Sequence, residues 1–384
     1  MGSFKAKYLA VKVSKWLKYT IFTLNVLAIL LMFLATKAPD IAPSVFMPVA
    51  YLGLGFPAIF LINILFLILW IVSFRWKYIL VQLFAFVLCL SGINAYIPWN
   101  KKTEPIPDDC IKLMSYNVRG FDWLTGDTAR QNPILEYIAN SGADIICMQE
   151  FAVEEKKRRN KIISLAEFDD IMKDYPYRAI VRLGDTKNSV IYGLACYSKF
   201  PIYKMGRIPI ESAFNGSAMY EIRVGEKKRK LTVVNNHLES NRITAEDKQL
   251  YKEFVVNPNR EKIDDVARNI QLRMAPAFLT REQQSDIISA HIRKQREETD
   301  AMIVCGDFND TPLSYAYKTI KGNMIDSYQL TGKGIGVTYH ENNILLRIDY
   351  IMHTMNIKSY NCTVGKVRYS DHYPIWTYIS LKRL

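Results

Sequence analysis

The sequence predicts an α/β domain preceded by a membrane-embedded region. Two observations carry this expectation. Three long uncharged apolar runs fill the first hundred residues, and beyond residue 110 short apolar runs alternate with helix-patterned stretches. At 384 residues and 49% hydrophobic content, the chain has apolar material for one large core or two.

The apolar runs come first. Tyr19 to Thr36 carries no charge over 18 residues and follows five lysines; Val45 to Phe74 is uncharged for 30 residues and Tyr78 to Trp99 for 22. Crossing the hydrocarbon core takes about 20 apolar residues as a helix. Three transmembrane helices are therefore expected within a membrane region 1–100, over about 19–36, 52–74 and 78–99. The second starts after Pro48. A cleaved signal peptide is the alternative for the first run, but no clean small-x-small site follows it and two further apolar runs do. The amino-terminal lysines and the Arg75-Trp76-Lys77 loop should stay cytoplasmic. Three spans then put everything after Trp99 on the extracytoplasmic, periplasmic side of an inner (cytoplasmic) membrane. Lys101 and Lys102 oppose this slightly, and a re-entrant hairpin in 45–74 would reverse it.

Residues 101–109, with Pro105 and Pro107, read as a linker to the α/β domain at 110–384. Strands are expected at Ile111–Tyr116, Asp144–Met148, Ser189–Tyr197, Met219–Val224, Leu231–Asn236, Met302–Cys305 and Ile348–Met352. Gly225 to Lys228 reads as a hairpin turn. Residues 242–300 are charged, strand-poor and helix-patterned, an expected helical insertion. Up to Asn100 lie eight of the 50 basic and one of the 37 acidic residues, so the net +13 divides into +7 and +6. The larger part is only mildly basic, which suits an anionic substrate without demanding nucleic acid. The six cysteines form no CxxC pair, and Cys147, Cys196 and Cys305 fall in strand-like runs, so buried free thiols are expected.

Chemistry gathers at strand ends. Asp307 and Asn309 close the run Ala301 to Cys305 two residues apart, a spacing that puts both on one side if the strand continues. A turn rich in Gly, Asp and Asn is the plainer reading. Asn117, Glu150, His237, Asp349 and the pair Asp371-His372 end or begin other apolar runs. Hard oxygen donors of this kind suit Mg²⁺ or Mn²⁺, and the His/Cys density of a zinc site is missing. No G-x-S-x-G turn or P-loop occurs. Taken singly, Asn117 could cap a turn, Glu150 could start a helix, and His372 could be a loop histidine. His291, His340 and His353 read as structural, and Lys156 to Arg159 as a solvated face.

These short motifs resemble, in order, those of the endonuclease/exonuclease/phosphatase superfamily, the deoxyribonuclease-like fold. They are S-Y-N-V at Ser115–Val118, Q-E at Gln149-Glu150, N-H-L at Asn236–Leu238, G-D-F-N at Gly306–Asn309, R-I-D-Y-I at Arg347–Ile351 and S-D-H at Ser370–His372. Tyr197 to Ile202 is similar to the family's S-K-x-P-I stretch. The resemblance implies a four-layer sandwich of two mixed β-sheets flanked by helices, with the site at one sheet edge. Many bacterial members look similarly anchored. It implies Glu150 as main metal ligand with Asn117 and Asp371 nearby, and Mg²⁺ or Mn²⁺ as cofactor. Asp307 would orient or deprotonate water, Asn309 would bond phosphate, and His372 oriented by Asp349 would donate to a non-bridging oxygen or act in the general base. His237 would serve the leaving oxygen.

Two positions depart from the family. Arg119 stands where some relatives have an acidic ligand, so it would contact phosphate. The strand near Ser217 lacks the Arg-Glu pair of deoxyribonucleases. The expected function is a membrane-anchored divalent-metal phosphoesterase acting on a phosphodiester or phosphomonoester, with a lipid head group or small molecule favoured. An extracytoplasmic nuclease or a non-catalytic binding module of the same fold are the alternatives. The expected partners are the lipid bilayer and the phosphate-ester substrate; no obligate protein partner is evident.

Overall fold

The computed structural model describes residues 2–122, 132–156, 163–185, 187, 189–225, 228–241, 260–299, 301–341 and 344–381. Residues 157–159 of the basic run, residues 226 and 227 of the hairpin turn, and residues 242–259 and 300 of the expected insertion lie outside them. The chain divides into two units. One is Met1–Ile93 with Leu313–Tyr315; the other is Asn94–Pro312 with Ala316–Leu384.

The first unit is helical. Helix α1 (Gly2–Lys37) and the 3-10 turn Ala38–Asp40 after it hold a stretch long and apolar enough to cross a membrane, Trp16–Asp40. The second apolar run is not one straight helix: α2 (Met47–Leu54) and α3 (Phe56–Val72) meet at 65°. Pro57 explains the break, because it has no N–H to offer the carbonyl a turn earlier and its ring clashes there. The third run breaks at Cys89 into α4 (Trp76–Leu88) and α5 (Leu90–Tyr96), bent by 67°. Among the described residues one helix qualifies as a span, or up to three if each bent pair counts as one. Three amides lie fully buried among the apolar residues. Asn25 Nδ2 donates to Gln82 Oε1 at 2.7 Å and Gln82 Nε2 to Asn63 Oδ1 at 3.0 Å. Asn63 Nδ2 donates to the carbonyls of Ala28 and Ile59, and Trp70 Nε1 donates to Asn25 Oδ1.

The second unit is a four-layer sandwich. The first sheet runs β11-β12-β1-β2-β4-β3 and the second β5-β6-β7-β8-β10-β9. The strands of the first are β1 (Ile111–Asn117), β2 (Ile145–Glu154), β3 (Tyr177–Arg182), β4 (Val190–Ser198), β11 (Ile357–Val364) and β12 (Ile375–Leu381). Those of the second are β5 (Ile202–Ile208), β6 (Gly216–Val224), β7 (Arg229–His237), β8 (Ala301–Asp307), β9 (Ile325–Asp326) and β10 (Asp349–His353). The expected β6–β7 hairpin pairs Val224 with Arg229. Each sheet holds one parallel pair, β1 with β2 and β7 with β8, at its centre.

Alternation builds the layers. In β8, Ile303 and Cys305 point between the sheets, while Met302 and Val304 meet the outer helices. Both faces are buried, so the strand reads as a continuous apolar run. Each such fully buried side chain contributes about 1.5–3 kcal/mol of burial free energy. Helices α6 (Pro133–Ala139) and α7 (Leu165–Ile171) cover the first sheet through Ile134, Ile138 and Phe168. Helices α8 (Arg260–Gln295) and α9 (Tyr315–Lys321) cover the second through Ile288, Ile292, Tyr317 and Ile320. Among the described residues all six cysteines are free; Cys147, Cys196 and Cys305 are buried between the sheets.

Candidate active site

Parallel pairing sends the carboxyl ends of β1, β2, β7 and β8 to one edge. Asn117 pairs in register with Gln149, next to Glu150, and His237 pairs with Asp307. Strand β10 runs antiparallel to β8 and begins there, with Asp349 opposite Asp307. Beneath the edge, Gln149 Nε2 donates across the sandwich to Asn235 Oδ1 at 2.6 Å, and Asn235 Nδ2 donates to the Met148 carbonyl at 3.1 Å. The two sheets are thus bolted together one to two residues below the cluster at their edge.

Glu150 is not at a helix start. It sits in β2 with φ 52°, where the pairing with β4 slips between Met148 and Phe151. This bulge leaves the Glu150 side chain 30% exposed, while its neighbours stay buried. Asn117 Nδ2 donates to Glu150 Oε1 at 3.1 Å and to Asp307 Oδ2 at 3.0 Å, holding the two carboxylates together. The Asn117 Oδ1 accepts from the Arg119 backbone at 3.1 Å. His237 Nε2 lies 3.6 Å from Glu150 Oε1 and 3.8 Å from Asp307 Oδ2.

His372 Nδ1 is 2.8 Å from Asp349 Oδ2, and its Nε2 is 3.5 Å from Asp307 Oδ2. Burial pushes this imidazole down, but Asp349 and Asp307 together raise it well above its ordinary value, so the ring is held charged. Burial pushes the Asp307 carboxyl up to about 6, and His372 moderates the rise. Asp307, Asp349 and His372 each bring a donor atom within 4.8 Å of the others. A charged imidazole shared by two carboxylates accounts for that trio without an ion.

The expectation that Asn309 shares a strand face with Asp307 fails. Strand β8 ends at Asp307, and Asn309 has φ 51°. Its N–H donates to Asp307 Oδ1 at 2.8 Å, and its Nδ2 donates to the Leu238 carbonyl at 2.9 Å. A turn, not strand alternation, sets its place. Arg119 reaches Glu341 at 3.0 Å and Asp371 at 3.8 Å. Ser370 Oγ stands 2.9 Å from the Asn117 carbonyl and 3.1 Å from Asp371 Oδ1.

The donor set fits a hard divalent cation. Glu150, Asn117 and Asp371 carry oxygens at one edge, and the Asp349 Oδ1 is buried without a hydrogen-bond partner among the described residues. A buried carboxyl raised to about 6, as Asp307 is, is one that a neighbouring cation would ionise.

Sequence reasoning missed several supports. Thr338 Oγ1 accepts the backbone N–H groups of Ile348 and Asp349 at 3.0 and 3.1 Å. Arg281, in α8, reaches Asp310 at 3.0 Å and the Glu239 carbonyl at 2.8 Å, gripping the turns that follow His237 and Asn309. The described part of the insertion is therefore scaffold to the site. His353 is structural as expected, with both ring nitrogens bonded, to the Thr354 carbonyl and Ser359 Oγ. No pattern in the chain marks Thr338, Glu341 or Arg281, whereas Ser370 stands beside Asp371 in the S-D-H motif.

Comparison with known proteins agrees with this architecture. Residues 114–372 match the model of the Endonuclease/Exonuclease/phosphatase family, and residues 18–96 match that of a domain of unknown function (DUF8431). No curated protein matches the chain. Among solved structures, the human Nocturnin catalytic domain with bound sulfate anion is 16% identical, with TM-score 0.50 over 72% of this chain and 95% of that one. The endonuclease/exonuclease/phosphatase from Beutenbergia cavernae DSM 12333 is 13% identical, with TM-score 0.48 over 71% and 72%. That from Bacteroides vulgatus is 18% identical, with TM-score 0.46 over 71% and 99%. The family match spans both central strand pairs and every residue of the cluster at their edge, so this chain belongs to the endonuclease/exonuclease/phosphatase family and is a hydrolase of phosphoric ester bonds.

Proposed function

We propose that this protein is a membrane-anchored, divalent-metal-dependent phosphoesterase. It uses water to hydrolyse a phosphodiester or phosphomonoester, with a lipid head group or small molecule favoured over nucleic acid. The observation that carries the reading is the buried Asp307 carboxylate, ringed by Asn117, His237 and His372. Glu150, Asn117 and Asp371 would hold Mg²⁺ or Mn²⁺. When bound, the ion supplies neutralisation of a phosphate oxygen as charge builds on phosphorus. Asp307, raised by burial and ionised beside a bound cation, takes the proton of the attacking water. His372, kept charged by Asp349, donates to a non-bridging oxygen. His237 donates to the leaving oxygen. Asn309 uses one amide proton on Leu238 and offers the other to phosphate, and Arg119 adds positive charge at the rim.

The apolar helix Trp16–Asp40 supports anchoring, and the lysine placement favours a catalytic unit on the periplasmic side of the inner membrane. A carboxyl-terminal reporter active only in the cytoplasm would overturn that orientation. For the chemistry, full-length protein in detergent micelles should cleave bis-p-nitrophenyl phosphate with Mg²⁺ or Mn²⁺ and stop on chelation. Wild-type rates in both Asp307→Ala and His372→Ala would sink the mechanism. Salt-sensitive cleavage of single-stranded oligonucleotides in preference to small esters would favour a nuclease instead.

A further inference from the structure

A cavity of about 480 Å³ opens in the α/β unit between residues 331–337 and β11. Lys102, Lys333 and Lys366 line it beside Ile335, Leu345 and Val364, and no carboxylate is among its described lining residues. The positive charge of the lysines is thus not offset within the cavity itself. Ile335 and Leu345 are 48% and 59% exposed, giving the recess an apolar lip. Trp99, 76% exposed, lies under the Lys333 ammonium, 4.2 Å from the ring centre.

The chain leaving α5 is pinned along this wall. Gly334 N–H donates to the Pro98 carbonyl at 2.9 Å, and Asn100 Nδ2 donates to the Gln329 and Gly332 carbonyls at 3.0 and 2.9 Å. Thr103 and Asn361 exchange two bonds of 2.8 and 2.9 Å. The recess is therefore built onto the segment that follows the last apolar helix. Exposed tryptophan, lysine and aliphatic side chains at such a point are the composition of a membrane–water interface.

We propose that this cavity binds the phosphate-bearing headgroup of an anionic phospholipid, with the lysines on the phosphate and the acyl chains along Ile335, Leu345 and Trp99. The proposal rests on reading the amino-terminal helices as a membrane anchor. It does not need the catalytic reading. The cavity is separate from the catalytic edge yet adjoins it: Tyr373, which lines it, follows His372, and Val337 precedes the Thr338 that holds the Asp349 backbone.

The test uses full-length protein in micelles, titrated calorimetrically with dihexanoyl phosphatidylglycerol, dihexanoyl phosphatidylcholine and inorganic phosphate. Phosphatidylglycerol should bind one equivalent most tightly. A Lys333→Glu, Lys366→Glu double variant should weaken that binding about tenfold or more, with its melting temperature and its hydrolysis of soluble bis-p-nitrophenyl phosphate unchanged. Unaltered affinity in the double variant would overturn the proposal. Equal binding of phosphatidylcholine would remove the anionic selectivity, and equal binding of inorganic phosphate would make this a free-phosphate site. Loss of soluble-ester hydrolysis together with lipid binding would move the lipid into the catalytic site. A protein inactive on every ester but retaining lysine-dependent binding would end the catalytic reading and sustain this one.

Discussion

Both units bury asparagine, and they do opposite things with it. Among the membrane-type helices, Asn25, Asn63 and Gln82 close on one another: each amide oxygen accepts, each nitrogen donates, and no charge is present. At the sheet edge, Asn117 holds two carboxylates, beside a charged imidazole, and His237 Nδ1 and Asp349 Oδ1 are left unpartnered among the described residues. A neutral network that satisfies itself specifies how helices meet. A charged network that does not is unfinished until a ligand arrives.

The largest expected effect lies at the unfinished network. Asp307→Asn should cost about a thousandfold or more in kcat/KM. Its melting temperature should hold or rise, because a buried carboxylate is a strain on the fold. A fall in both would mean that the site is structural. Next comes Arg281, whose guanidinium is buried against Asp310. Arg281→Ala removes the charged partner of that carboxylate and should lower unfolding free energy by about 3–5 kcal/mol in a denaturant titration. A loss under about 1 kcal/mol would show that α8 is dispensable as scaffold.

The pH profile follows in size. A general base works ionised; burial raises Asp307 to about 6 and a bound cation lowers it again, so kcat/KM should rise through the acid range and level at or below about pH 6. The fall on the acid side should approach tenfold per unit. His372 is raised well above its ordinary value, so the plateau should extend past neutrality before the imidazole loses its proton. An acid limb that continues to rise above about pH 7 would remove Asp307 as the base. The smallest effect belongs to the closed network. Asn63→Leu should cost about 1 kcal/mol, read by unfolding in detergent, and leave soluble-ester hydrolysis unchanged. A catalytic defect there would erase the contrast between the two units.

How much of this was readable from the chain depends on how local the cause is. Central strands such as Met302–Cys305 announce themselves because both faces are buried. Strand β12 hides, since its outward positions carry Trp376 and Tyr378 and no period of two is visible. Strand β11 is interrupted at Asn361, with φ 48°, and edge strand β5 is mostly exposed. Asn117, Glu150, His237 and Asp307 meet because parallel pairing brings carboxyl ends together, while Asp349 joins from the start of antiparallel β10 and His372 from the loop before β12. Asn309 did not follow the alternation, since a turn intervenes. The bends at Gly55 and Cys89 separate runs that composition alone reads as continuous, although Pro57 was a visible warning at the first. Glu341, Thr338 and Arg281 arrive from distant loops and a helix, and only the tertiary fold puts them in reach.

The Gln149–Asn235 bond across the sandwich has an evolutionary reading. It joins the sheets from strand interiors, so the spacing of the reacting groups is set below the loops that surround them. Segments at the rim can then lengthen, shrink or be exchanged while the chemistry stays in tune. A descendant of this protein could change what it cuts far more readily than how it cuts.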